Sequence, residues 1–116
     1  MPYRALIAKE LADLLNVLSH PHRIRIVEEL RQSERDVNSL KDSLNIPHSG
    51  VSQHLTLLRN RRLVVERRQG RQVFYRLCQP ELATWLMEAT RFIEGNTISS
   101  RDLGEAIQKA RKAWSA

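Results

Sequence analysis

Apolar residues recur at helical intervals along most of the chain, and one segment breaks the rhythm. Ile7, Leu11, Leu14, Leu15 and Leu18 make a broad apolar side that predicts a first helix from about Ala5 to Leu18, buried on more than one side. Pro21 has no amide proton and suits a first helical turn. "SHPHR" therefore separates that helix from a second, marked by Ile24, Ile26, Val27 and Leu30 and ending near Arg31. After the polar connection "QSERD", Asp36 can cap a short third helix carrying Val37, Leu40 and Leu44 on one face. Asn45, Ile46 and Pro47 form its exit, with Pro47 at or beside the first turn of a fourth helix. That helix turns Val51, Leu55 and Leu58 inward, with His54 at the edge of the stripe. From Leu63 to Leu77 the period shortens to about two. Val65 and Arg67, Gly70 at a turn, then Val73, Tyr75 and Leu77 on the return predict a β-hairpin with arginines around its tip. Pro80 opens a fifth helix with Leu82, Trp85, Leu86, Ala89 and Ile93 on one stripe, broadened by Met87 and Phe92 and ended by "EGN". Ser99 and Asp102 have the spacing of a capping box before a sixth helix bearing Leu103, Ala106, Ile107, Ala110 and Trp114.

The outward side of the fourth helix is the first sign of function. "HSGVSQHLTLLR", residues 48–59, carries no charged side chain before Arg59, and Ser49, Ser52, Gln53 and Thr56 line the side opposite the apolar stripe. Solvated helix faces favour Lys, Glu and Arg, which suit helix propensity and solubility. Short hydrogen-bonding side chains lose propensity but can approach base edges in a major groove. Two short helices joined by about three residues, the second with such a face, describe a helix-turn-helix, and the basic hairpin that follows is the wing of a winged helix.

Charge agrees with that reading. The net charge is +6, and residues 48–76 hold seven arginines (59, 61, 62, 67, 68, 71 and 76) against one acid, Glu66, so the whole excess lies on the fourth helix and the hairpin. A surface that meets polyanionic phosphate has this distribution. An anionic bilayer would attract the same charge, but an alternating hairpin is not the amphipathic helix that lies on a membrane. Double-stranded RNA has too narrow a major groove for such a helix to read. At 116 residues the chain suits one domain with a modest core, no run approaches a membrane span, and "MPYRALIAKE" has no signal-peptide core, so a cytoplasmic protein is expected. A lone Cys78 fits a reducing compartment.

"LSHPHRIRIVEEL" (18–30), "VSQHLTLLR" (51–59) followed by "LV", and "GRQVFYRL" (70–77) stand in an order that resembles the ArsR (ArsR/SmtB) family of bacterial winged-helix repressors, over roughly Leu11 to Ile93. The resemblance implies a mainly α fold of five to six helices with a β-hairpin wing, in which residues 1–116 form one DNA-binding domain with dimerisation helices near both ends. It implies a homodimer paired through the first and fifth helices, with Leu11, Leu14, Leu15, Leu82, Trp85, Leu86 and Ala89 at the interface, bound to a double-stranded palindromic operator until an effector releases it. The family's base-reading positions fall on His48, Ser49, Ser52 and Gln53, joined by Thr56 on the same face, and its wing contacts on Arg67, Arg68 and Arg71. Departures from the family are equally specific. Where its metal sensors carry Cys-x-Cys at the third helix, this chain has Asp36, Val37 and Asn38, and no histidine follows His54 to complete a fifth-helix site. Arg62 stands where the family often has Gly, which predicts a different exit from the fourth helix, since a left-handed Arg costs on the order of 1 kcal/mol.

The remaining polar residues are read structurally. His20 and His22 occupy a helix start rather than forming a metal pair, His54 is a structural hydrogen-bonding residue, and no metal or other cofactor is expected. Gly50 permits close helix approach and Leu57 meets a neighbouring helix. Cys78 is taken as an inert thiol. No carboxylate stands with a base or nucleophile, so no catalytic residue is expected. The alternative function is a winged-helix protein-interaction module without sequence-specific DNA binding, whose surface would carry apolar anchors instead of Ser, Gln, Thr and Arg.

Overall fold

The computed structural model describes residues 2–94 and 101–115. They fall into two compact units, Met1–Pro80 and Glu81–Ala116. The first contains α1 (Pro2–Leu18), α2 (Pro21–Glu29), β1 (Arg35–Asp36), α3 (Val37–Leu44), α4 (His48–Asn60), β2 (Val64–Gln69) and β3 (Gln72–Leu77). Its core is Leu18, Ile26, Val27, Leu30, Leu40, Val51, Leu55, Leu58, Val64 and Leu77, all buried. At about 1.5–3 kcal/mol for each large aliphatic side chain removed from water, these residues supply the main attraction that holds the unit together.

Local chemistry sets the helix ends. His20 Nδ1 accepts from the His22 amide at 3.0 Å and so caps α2, while Pro21 fills its first position. Asp36 Oδ1 accepts from the Ser39 amide at 2.8 Å at the head of α3, and Asn45, at φ 56, ends that helix with its amide on the Lys41 carbonyl. Asn tolerates the left-handed region because its short amide can bond locally.

Several expectations need correction. α1 is not buried on more than one side, because Tyr3, Leu6, Ile7, Leu11 and Leu15 are each more than half exposed in the single chain and only Leu18 is fully buried. "QSERD" is not wholly a connection: Arg35 and Asp36 form β1, which pairs with Tyr75 and Phe74 of β3 and makes a three-stranded antiparallel sheet of order β1-β3-β2. Two residues are too few to display a strand period. α4 does not exit differently for want of glycine. Arg62 adopts φ 61, its amide bonds to the Arg59 carbonyl at 2.8 Å, and the Leu63 amide bonds to the Leu58 carbonyl at 2.9 Å. These are the two hydrogen bonds of a Schellman ending, and the core demand on Leu58 and Val64 on either side overrides the preference of Arg62.

The hairpin follows its predicted register, with Glu66 opposite Tyr75 and Arg67 opposite Phe74. Gln69 pairs with Gln72 across Gly70 and Arg71, and Gly70 has φ +62, the arrangement of a two-residue turn with glycine first.

The second unit contains α5 (Glu81–Ala89), α6 (Arg91–Glu94) and α7 (Arg101–Ser115). The expected continuous fifth helix is interrupted at Thr90. Its amide and hydroxyl both bond to the Met87 carbonyl, at 3.2 and 2.5 Å, and the Ile93 amide bonds to the Thr90 carbonyl at 3.0 Å. The hydroxyl competes for a helical acceptor and favours three-residue spacing, which breaks the helix. Arg111 of α7 donates to the Thr90 hydroxyl at 3.2 Å, and Ile107 is the buried anchor of α7. Ser99 of the expected capping box lies outside the described residues. No helix among the described residues is long and apolar enough to cross a membrane.

Arg62→Gly is expected to stabilise the protein by about 1 kcal/mol by relieving the left-handed side chain. Urea unfolding checks this: the midpoint rises with an unchanged slope, and an unchanged midpoint would show that the guanidinium makes compensating contacts.

Candidate nucleic-acid interface

The outward face of α4 is placed by its inward one. Val51, Leu55 and Leu58 have no exposed surface. With them seated, His48, Ser49, Gln53 and Thr56 point to solvent and Ser52 is half-buried. Thr56 donates its hydroxyl to the Ser52 carbonyl at 2.9 Å, which leaves the oxygen as an acceptor. His48, Ser49, Ser52 and Gln53 are therefore the side chains of this face free to donate as well as accept. His48 and Ser52 also line an open cleft of about 310 Å³ between α3 and the wing, bounded by Asp36, Asn38, Arg71 and Tyr75. Two flank residues differ from expectation. Leu57 is half exposed rather than packed on a helix, and a methyl group at Gly50 would meet only Ile46 Cδ1, at an ordinary 3.7 Å, so glycine is not required for close approach.

The seven arginines divide by partner. Arg59 donates to Glu66 at 3.2 Å, Arg61 to Glu10 at 3.1 Å, and Arg67 to both oxygens of Glu34. Arg67 also reaches Gln69 and lies 4.7 Å from the Phe74 ring centre. Its hydrogen bonds hold the Glu34 carboxyl below the usual carboxylate range. Tyr75 shares Glu66 with Arg59 at 3.3 Å, and burial, with the Glu66 charge behind it, pushes the Tyr75 phenol up. The side chains of Arg62, Arg68, Arg71 and Arg76 make no hydrogen bond or ion pair among the described residues. Alternation along the hairpin puts Arg68 on the Glu66 side of the sheet, toward α4, and Arg67 on the other side. The predicted wing trio thus separates into Arg68 and Arg71, whose charge is available, and Arg67, whose charge is engaged.

Behind the face, Arg35 ties α2, β1 and α3 together. It donates to Glu29, to the Ser39 hydroxyl at 2.7 Å and to the Ser43 hydroxyl at 2.7 Å. α2 and α4 are joined by a different contact: Arg23 donates to the Val17 carbonyl and to His54 Nδ1 at 3.3 Å. His20, His22 and His54 cluster there, with ring centres 4.4–5.4 Å apart. Desolvation first, then neighbouring positive charge from Arg23 and the other rings, holds His20 and His54 below the ordinary histidine value.

Residues 20–65, from the His20 cap to the start of the wing, match the pattern described as bacterial regulatory protein, arsR family. The chain is 40% identical over 82 residues to the biofilm growth-associated repressor of Agrobacterium fabrum, a match covering 71% of this chain and 69% of that protein. It belongs to the arsR family. It is also 44% identical over 77 residues to the HTH-type transcriptional repressor SmtB of Mycobacterium tuberculosis, covering 66% of this chain but only 57% of that protein's length. The solved transcriptional repressor BigR from Xylella fastidiosa superposes with a TM-score of 0.65 at 35% identity, over 79% of this chain and 90% of that one. The arsR-family fold, a winged helix-turn-helix, is accordingly what α3, α4, β2 and β3 build here.

Two features of this arsR-family chain escaped the sequence. The Glu34–Arg67 pair spans 33 residues and the His20–His54 contact 34, and neither has a local spacing signal. His20 and His22 on either side of Pro21, and His54 at the edge of an apolar stripe, were the available hints of the cluster.

Arg71→Ala is expected to lower the slope of log affinity against log salt on any duplex by about one, the loss of one phosphate contact. Arg68→Ala should do the same and Arg67→Ala should leave the slope nearly unchanged. Filter binding across a salt series on a random duplex checks all three, and equal slopes for Arg67→Ala and Arg71→Ala would show that DNA draws Arg67 away from Glu34.

Proposed function

We propose that this chain is a non-enzymatic transcriptional repressor that binds a palindromic operator in double-stranded DNA as a homodimer and acts in the cytoplasm. The observation that carries the reading is the pairing of a neutral, short-chained face on a firmly seated α4 with unneutralised arginines on the adjoining wing. Ser49, Ser52 and Gln53 supply donors and acceptors for base edges, His48 and Thr56 extend the face, and Arg68 and Arg71 supply phosphate contact. The repressor names of the relatives support the direction of regulation. The rival reading, a protein-interaction module, has less in its favour: Leu57 is the one large exposed apolar side chain on α4, β2 and β3.

The homodimer is supported by apolar surface. Leu11 and Leu15 on α1 are half exposed, Leu14 is half-buried beside them, and an apolar cleft of about 420 Å³ runs along Leu6, Ile7, Leu11 and Leu63. In the other unit Trp85 is 44% exposed, and Leu82, Leu86 and Ala89 are half-buried along the same helix. A monomer rarely leaves such helix faces in water. We assign α1 and the C-terminal helices to dimerisation, with the winged helix as the DNA-binding part of one functional domain.

Selection of bound duplexes from a random pool should return an imperfect palindrome with half-sites one helical turn or more apart. On it, Ser52→Ala or Gln53→Ala is expected to cost ~1–3 kcal/mol, with little change on random duplex. Equal loss on both duplexes would show that α4 does not read bases. Sedimentation at micromolar concentration should give the dimer mass, and a monomer there would refute the assembly.

A further inference from the structure

The cluster at the joint between α2 and α4 has no part in the DNA-facing surface, and it brings together three imidazoles from residues far apart in sequence. One ring nitrogen each of His20, His22 and His54 lie within 4.8 Å of one another, and all three residues are half-buried, accessible from solvent. We propose that His20, His22 and His54 form a binding site for a borderline divalent transition-metal ion of the zinc type, completed by water, whose occupation loosens the joint that carries the recognition helix. The effect on DNA rests on the repressor reading above, whereas the binding of the metal does not.

The donor set points to that class of ion. Imidazole suits zinc, copper(II) and nickel, while the lack of a thiolate or carboxylate in the cluster disfavours copper(I), arsenite and the harder ions. Ligands at the 2.0–2.1 Å typical of zinc–histidine bonds stand about 3.3 Å apart around a tetrahedron. Closing the present spacing to that value needs a contraction of about 1.5 Å, within reach of imidazole side-chain rotation on two adjoining elements.

The coupling follows from which nitrogens are already engaged. His20 Nδ1 accepts the His22 amide and His54 Nδ1 accepts from Arg23, which is always a donor, so in both rings the proton sits on Nε2. A metal taken at Nε2 displaces that proton, and a neutral ring then carries its hydrogen on Nδ1. Nδ1–H can accept neither the helix-capping amide nor the Arg23 guanidinium. Metal binding is therefore incompatible both with the His20 cap of α2 and with the Arg23–His54 hydrogen bond across the joint, and the ion must overcome the nearby Arg23 charge as well. When filled, the site releases Arg23 from His54 on α4.

His22 is the decisive position, because its ring makes no hydrogen bond among the described residues and only its backbone amide serves the α2 cap. Full-length protein titrated with cobalt(II) should develop the visible bands of a tetrahedral nitrogen site at one ion per chain, and zinc(II) should displace it. His22→Gln should weaken cobalt and zinc binding on the order of tenfold or more with an unchanged circular dichroism spectrum and melting temperature. His20→Asn, which keeps a capping side chain, should do the same. Zinc should lower operator affinity of the unsubstituted protein and not of His22→Gln. No cobalt bands up to tens of micromolar metal, or bands undiminished in both variants, would overturn the site. Saturable binding with unchanged operator affinity would overturn the coupling, and failure of the metal-free protein to bind any selected duplex would instead refute the repressor reading.

Discussion

The seating of α4 by Val51, Leu55 and Leu58 is the constraint from which the rest of the binding surface follows. A helix with one fully buried stripe can rotate about its axis only by pulling apolar side chains into water, at a cost of about 1.5–3 kcal/mol for each. The opposite side is consequently held at a fixed angle without any charged anchor of its own, and it can be surfaced with serine, glutamine and threonine despite their poorer helix propensity. The same seating continues past the helix end. Leu58 and Val64 bracket the Arg62 turn, so the chain accepts a left-handed arginine to keep both in the core and to launch β2 from the correct position.

Charge is then distributed by pairing as much as by composition. Glu10, Glu34 and Glu66 each hold one arginine of the basic segment, and the guanidinium groups left over belong to Arg62, Arg68, Arg71 and Arg76. Exposed pairs of this sort contribute little to stability. Their larger effect is on the field: they subtract positive charge from the root of the wing and from the far side of the sheet, and so concentrate it beside α4 and at the hairpin tip. A count of basic residues overstates the charge offered to phosphate and misplaces part of it.

Much of this was legible in the residues. Period and turn chemistry located the helices, the Asp36 cap and the hairpin, because each is decided by neighbours a few positions apart. Surface identity was legible in the same way, since one face of α4 is opposite another by spacing alone. What stayed hidden depends on distant partners or on a contest between local and tertiary preference. β1 exists because β3 offers an edge, Arg67 is engaged because Glu34 is delivered to it by the fold, and His54 meets His20 only once α2 and α4 pack. Arg62 illustrates the contest: its own preference forbids the conformation that the core requires, and the core prevails.

The two-residue connection at Gly70 and Arg71 makes the wing a ruler. Six paired positions at roughly 3.4 Å each carry the tip about 20 Å along the hairpin axis, and a turn this short has almost no conformational freedom left to lose when it meets a ligand. The guanidinium of Arg71 thus emerges from a backbone of set reach, and only its own rotamers remain to be ordered. A longer loop would have offered more charge within reach of more places, at the cost of sampling many of them. Here distance itself is part of what is recognised, so an inserted or deleted residue at the tip would alter the spacing of the contact even if it left every arginine in place.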